Sequence, residues 1–63
     1  MKVGQTVYTV NNKENCIDLW IYNGVLRTKG ELLLHLVNGN QYCFLPARCV
    51  FESEEQALVV AMK

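Results

Sequence analysis

The chain has 63 residues, 51% of them hydrophobic, with six basic and six acidic side chains and a formal net charge of zero. That length makes one domain near the lower limit for independent folding, burying roughly 60% of the surface its unfolded form exposes, so nearly every large apolar side chain is needed in the core. The hydrophobic content excludes a disordered chain, and the charge balance disfavours non-specific nucleic-acid binding, which comes from Lys and Arg displacing counterions.

Residues 3–10 (V-G-Q-T-V-Y-T-V) are rich in β-branched and aromatic side chains and predict a first strand. A polar loop, Asn11-Asn12-Lys13-Glu14-Asn15, leads to an alternating run from Cys16. Ile17, Leu19 and Ile21 share one face, and Asp18, Trp20 and Tyr22 share the other. With the aliphatic set as the core, the two aromatics point outward or onto the terminal helix; the competing reading packs Trp20 under that helix as part of the core. Asn23-Gly24 either turns the chain or bulges the strand, which Val25-Leu26 continues before Thr28-Lys29-Gly30 turns it. Residues 31–37 form a third strand, with Leu32, Leu34 and Leu36 on one face and Leu33, His35 and Val37 on the other. Two apolar faces mean a strand covered on both sides, by the molecule's own interior and helix or by a second subunit, so a homodimer is expected.

Asn38-Gly39-Asn40 is a hairpin turn, and residues 41–45 return as the fourth strand. Pro46-Ala47-Arg48 interrupts the ladder, because proline has no amide to donate. Cys49-Val50-Phe51 reads as a short fifth strand, and a helix follows from about residue 54 to 63. Its start is marked by a Ser53-x-x-Gln56 capping box with Glu54 and Glu55 in the first turn, where the helix dipole favours negative charge. Val59 and Val60 are poor helix formers and the segment is short, so packing of Ala57, Leu58, Ala61 and Met62 on the sheet has to hold it. The expected architecture is therefore all-β with one terminal helix: a five-stranded antiparallel SH3-like barrel spanning residues 1–63 as a single domain.

On these elements the chain resembles small uncharacterised SH3-like proteins of bacteriophages and bacteria. Their pattern is matched by Val3-Gly4, Val7-Tyr8 and Val10 in the first strand; Ile21, Gly24 and Leu26 in the second; Asn38-Gly39 and Tyr42 in the hairpin; and Val50-Phe51, Ser53 and Glu55-Gln56-Ala57 at the entry to the helix. Gln56 stands where the family more often carries glutamate. These are turn, cap and core positions, so the resemblance implies a phage or prophage accessory protein without supplying a catalytic residue.

Cys16, Cys43 and Cys49 are an odd number and no signal-like segment is visible, which predicts free thiols in a reducing cytoplasm. No apolar run approaches the roughly 20 residues of a membrane span. With His35 the cysteines have the composition of a Cys₃His zinc site. They lack the close Cys-x₂-Cys pairs that aim two thiolates at one metal, so three buried thiols packed as hydrophobes are expected and no cofactor. His35, the only histidine, has no serine or cysteine in a recognisable motif, and Ser53, the only serine, is spent on the helix cap. No enzyme is indicated.

The candidate binding residues are Trp20, Tyr22 and Tyr42, with Tyr8 nearby, and the basic trio Arg27, Lys29 and Arg48. Aromatic surfaces on small barrels take proline-rich peptides, cations or bases. The leading expectation is a non-enzymatic interaction module for a host or phage protein. The alternative is a small nucleic-acid-binding barrel of the KOW or OB kind, stacking bases on Trp20 and Tyr22 beside the basic trio.

Overall fold

The computed structural model describes residues 1–62. Four antiparallel strands form one sheet in chain order: β1 (Thr6–Asn11), β2 (Cys16–Thr28), β3 (Glu31–Asn38) and β4 (Gln41–Pro46). A 3₁₀ turn (Ala47–Cys49) and a helix, α1 (Glu54–Ala61), follow, and the expected helix end at residue 63 lies outside the described residues. Neighbours in sequence are neighbours in the sheet because every connection is a hairpin. In the first, Asn11 Oδ1 accepts hydrogen bonds from the amides of Lys13 (3.1 Å) and Glu14 (3.2 Å). In the third, Asn38 pairs with Gln41 across a two-residue loop whose Gly39 has φ +60°, the left-handed value a type II′ turn needs at that position.

Strand β2 runs through Asn23-Gly24 as a bulge. Tyr22 pairs with Leu36 and Val25 with Leu34, so Asn23 and Gly24 together stand against His35 alone. Gly24 has φ +111°, a conformation glycine adopts without cost. The extra residue bends the sheet there. Bending lets the sheet fold over its inner face. Val7 of β1, Tyr22 of β2, Leu34 and Leu36 of β3 and the returning Val50 form one buried cluster, with Trp20, Cys43 and Leu45 packed against it.

This reverses the face expected of β2. The inner face carries Trp20 and Tyr22, the latter 8% exposed, whereas Leu19 of the aliphatic set is 47% exposed. The aromatics win the interior because they bury more apolar area, and the Trp20 indole finds a partner there. Trp20 Nε1–H donates to Thr9 Oγ1 at 3.0 Å, and Thr9 is itself buried.

The expected fifth strand shrinks to a single β-bridge. Tyr8 and Phe51 exchange two backbone hydrogen bonds of 2.8 Å, and no ladder extends from them. The 3₁₀ turn consumes Ala47–Cys49, with the Val50 amide donating to the Ala47 carbonyl at 3.1 Å, and the helix cap begins two residues beyond Phe51. Too little chain remains for a strand. The sheet is therefore open, with β4 as a free edge, and not a closed five-stranded barrel.

Ser53 caps α1, its hydroxyl accepting from the Gln56 amide at 3.2 Å, with Glu54 and Glu55 in the first turn; among the described residues the Gln56 side chain makes no return bond, so one arm of the expected box forms. Ser53→Ala is expected to cost about 1 kcal/mol, seen as a lower urea midpoint with an unchanged slope. The helix packs against β1 and β2. It does so through its small residues: Ala57 is buried and Ala61 half-buried, while Leu58 and Met62, expected to anchor it, are exposed. The thiols also depart from expectation. All three are free, but Cys16 and Cys49 are exposed and only Cys43 is half-buried.

Candidate functional site

The outer face of the sheet can be read off the register. Val37 stands opposite Tyr42, His35 opposite Phe44, and Leu33 opposite Pro46, all on the face that the buried Leu34 and Leu36 turn away from. Across β2 the same face continues through Ile21, opposite Val37, and Leu26, opposite Leu33. Three rings cluster at its centre. His35 and Phe44 stack with centroids 4.8 Å apart and planes 16° apart. Tyr42 meets both edge-on, at 6.1 Å from His35 and 6.0 Å from Phe44. Tyr42 is 68% exposed and Phe44 39%. The bulge adds a polar edge, bringing Asn23 Nδ2 to 3.4 Å from His35 Nδ1.

The result is a mostly apolar face with exposed rings at its centre and His35, Asn23 and the Tyr42 hydroxyl as its polar groups. Of the residues the sequence nominates, only Tyr42 belongs to it. Trp20 and Tyr22 lie on the opposite, inner face. Arg27 and Lys29 sit exposed at the β2–β3 hairpin, where Arg27 helps line an open concavity of about 410 Å³ with Thr28, Gly30, Glu31 and Leu32. Arg48 reaches the same end from the 3₁₀ turn, its Nη1 lying 3.5 Å from Glu31 Oε1. The basic residues are thus gathered at one end with an acid among them. Tyr8 pairs with Leu19 across β1 and β2.

Phe44 and His35 are the members that sequence reasoning missed. The signal was present: once Asn38-Gly39-Asn40-Gln41 fixes a two-residue turn, counting back along both strands sets His35 opposite Phe44. The four zinc candidates are scattered. His35 and Cys43 face opposite sides of the sheet, and among the described residues no three His, Cys, Asp or Glu side chains come together as ligands.

Cys16 has a distinct environment. Its thiol lies 3.8 Å from Glu14 Oε2 and 3.9 Å from Asp18 Oδ1. Partial desolvation, then the charges of Asp18 and Glu14, push it above the ordinary thiol range. Thiolate is the reactive form, so the single-cysteine protein (Cys43→Ser, Cys49→Ser) should alkylate more slowly than a free thiol at pH 8. Adding Glu14→Gln and Asp18→Asn should speed the reaction; an unchanged iodoacetamide rate would refute this assignment.

Among the described residues, no helix is long and apolar enough to cross a membrane. Comparison with family models, with curated proteins and with solved structures gives no match for this chain.

Proposed function

We propose that the chain is a non-enzymatic protein-interaction module that binds its partner through the His35, Tyr42 and Phe44 platform. One observation carries this reading. A 63-residue domain with only six Phe, Tyr and Trp residues needs them inside, yet Tyr42 and Phe44 are held on the surface in contact with each other and with His35. Rings packed together and exposed together are a preorganised contact area that costs little entropy to bind.

The finer description is an SH3-like build. It is supported by four meandering strands, a 3₁₀ turn and a return of the chain to β1 at Phe51. The sequence resemblance described above supports a phage or prophage accessory role with a host or phage protein as partner. The nucleic-acid alternative has less support, because Trp20 and Tyr22 are packed into the core and Arg48 is near Glu31.

The test is affinity capture from bacterial lysate with the tagged chain and with Tyr42→Ala, each with and without nuclease. Tyr42 is mostly exposed, so its truncation leaves the core intact. Protein bands that survive nuclease and raised salt with the wild-type chain, and are lost with Tyr42→Ala, are expected. Bands that vanish with nuclease, or that both chains retain equally, would overturn the reading.

A further inference from the structure

The platform is carried by a sheet edge, and that edge has a definite pattern of free backbone groups. A two-residue loop can be closed only by a mutually hydrogen-bonded pair, so Asn38 and Gln41 exchange both of their bonds. Alternation along the antiparallel ladder then aims Cys43 and Leu45 at β3 as well. Tyr42, Phe44 and Pro46 are left with their backbone groups pointing away from β3. The rest of the sheet obeys the same alternation. Tyr22, facing away from Leu36, donates instead to the Gln5 carbonyl at 2.9 Å, and Tyr8 turns from Leu19 to Phe51. Pro46 falls where no amide is required.

Among the described residues, no hydrogen bond reaches the backbone N–H or C=O of Tyr42 or Phe44 from outside the β3–β4 ladder. Edges of this kind are usually blunted by Lys or another charge, and Gln41–Pro46 carries none. A two-fold axis sets a charge on the axis against itself, so an uncharged edge is the condition for pairing with an identical strand.

We propose that β4 pairs antiparallel with β4 of a second copy of this chain, about a two-fold axis at Cys43. In that register Tyr42 exchanges both backbone hydrogen bonds with Phe44 of the partner subunit, and Phe44 does so with Tyr42 of the partner subunit. Every free amide in the centre of the edge is thereby satisfied. Tyr42 and Phe44 share the outer face, so pairing also joins the two ring clusters into one platform across the axis. The proposal rests on the reading of that face as a binding surface, and it makes the complete site a two-subunit property.

Cys43 reports on the register. On the axis it meets Cys43 of the partner subunit as a pair without direct hydrogen bonds, whose Cα atoms lie about 4.5 Å apart. That separation falls within the window for a disulfide, whereas a slip of one residue places the two thiols on opposite faces. The probe is the chain carrying Cys16→Ser and Cys49→Ser, oxidised with diamide, which takes up the two electrons and two protons released as the S–S bond forms. Chains retaining only Cys16 or only Cys49 serve as collision controls.

Five paired residues on each strand bury less than a standard interface, so the dimer is weak and the experiment belongs at high micromolar concentration. The expected result is covalent dimer from the Cys43-only chain about tenfold faster than from either control, reflecting effective concentration. The half-buried thiol would otherwise be the slowest of the three. Light scattering on the unoxidised chain should show a mass rising with concentration towards two chains. Tyr42→Pro removes an edge amide that β3 does not use and should abolish that rise, while Tyr42→Ala keeps the amide and should retain part of it. A single-chain mass throughout, or cross-linking no faster from Cys43 than from the exposed cysteines, overturns the pairing. If the pairing fails while Tyr42→Ala still loses captured protein, the interaction-module reading stands alone. If the pairing holds and capture is indifferent to Tyr42→Ala, the module reading fails instead.

Discussion

Leu36→Ala is expected to abolish cooperative folding at room temperature. Leu36 has 0% exposure at the centre of β3, between Tyr22 on one side and Cys43 on the other, in the core cluster that joins β1, β2 and β3. Truncating a fully buried leucine costs roughly 2–5 kcal/mol, through lost transfer energy and the cavity left behind. A core of this size rarely supplies more than about 3–5 kcal/mol of net stability. The loss is therefore comparable with the whole. Near-ultraviolet circular dichroism of the variant should be flat and its urea curve should lack a sigmoid. The partner experiment is Leu32→Ala at an exposed position on the same strand, which should lower stability by less than about 1 kcal/mol. A sharp, barely shifted transition in Leu36→Ala would mean that β3 turns its other face inward.

The second large effect is expected at Gly24, and its cause is different. A Cβ built there meets nothing within 4 Å, so sterics with neighbours are absent and the cost is wholly that of the backbone at φ +111°. Holding an alanine there costs about 1–3 kcal/mol. Gly24→Ala should accordingly lower the urea midpoint more than Ser53→Ala does. The loss matters beyond its size, because the bulge keeps Tyr22 and Val25 in register with Leu36 and Leu34 and brings Asn23 to His35. A Gly24→Ala protein as stable as the parent would show that the bulge is not held by the glycine.

These two sites also mark what could and could not be read from the chain. Turns and caps are local chemistry, so Asn38-Gly39 and the Ser53 cap were legible, whereas Asn23-Gly24 fits a turn as well as the bulge it forms; four strands and the helix fall near their expected bounds. The face of β2 was not. Period-two alternation separates apolar from polar, but Ile17, Leu19 and Ile21 alternate with Trp20 and Tyr22, which are apolar too. The choice depends on which set meets Val7, Leu36 and Val50, and those partners come from other strands. The fifth strand failed for a related reason. Cys49, Val50 and Phe51 have strand propensity, but the 3₁₀ turn on one side and the helix cap on the other leave room for one bridge.

Of the candidate site, Tyr42 was found because it is aromatic and follows a turn. Phe44 and His35 required combining that turn with strand register. Trp20 drew attention as the single tryptophan, and its indole is instead satisfied inside by Thr9. A rare residue type was a poorer guide to the surface than cross-strand pairing.

Which aromatics face the solvent decides whether the binding platform exists. The most direct measurement is solvent paramagnetic relaxation of assigned side-chain protons by NMR, using a neutral soluble gadolinium chelate. Strong enhancement is predicted for the rings of Tyr42 and Phe44, with the Trp20 indole and the Tyr22 ring protected. Enhancement of Trp20 and Tyr22 with protection of Tyr42 and Phe44 would put the platform in the core and contradict the proposed binding surface.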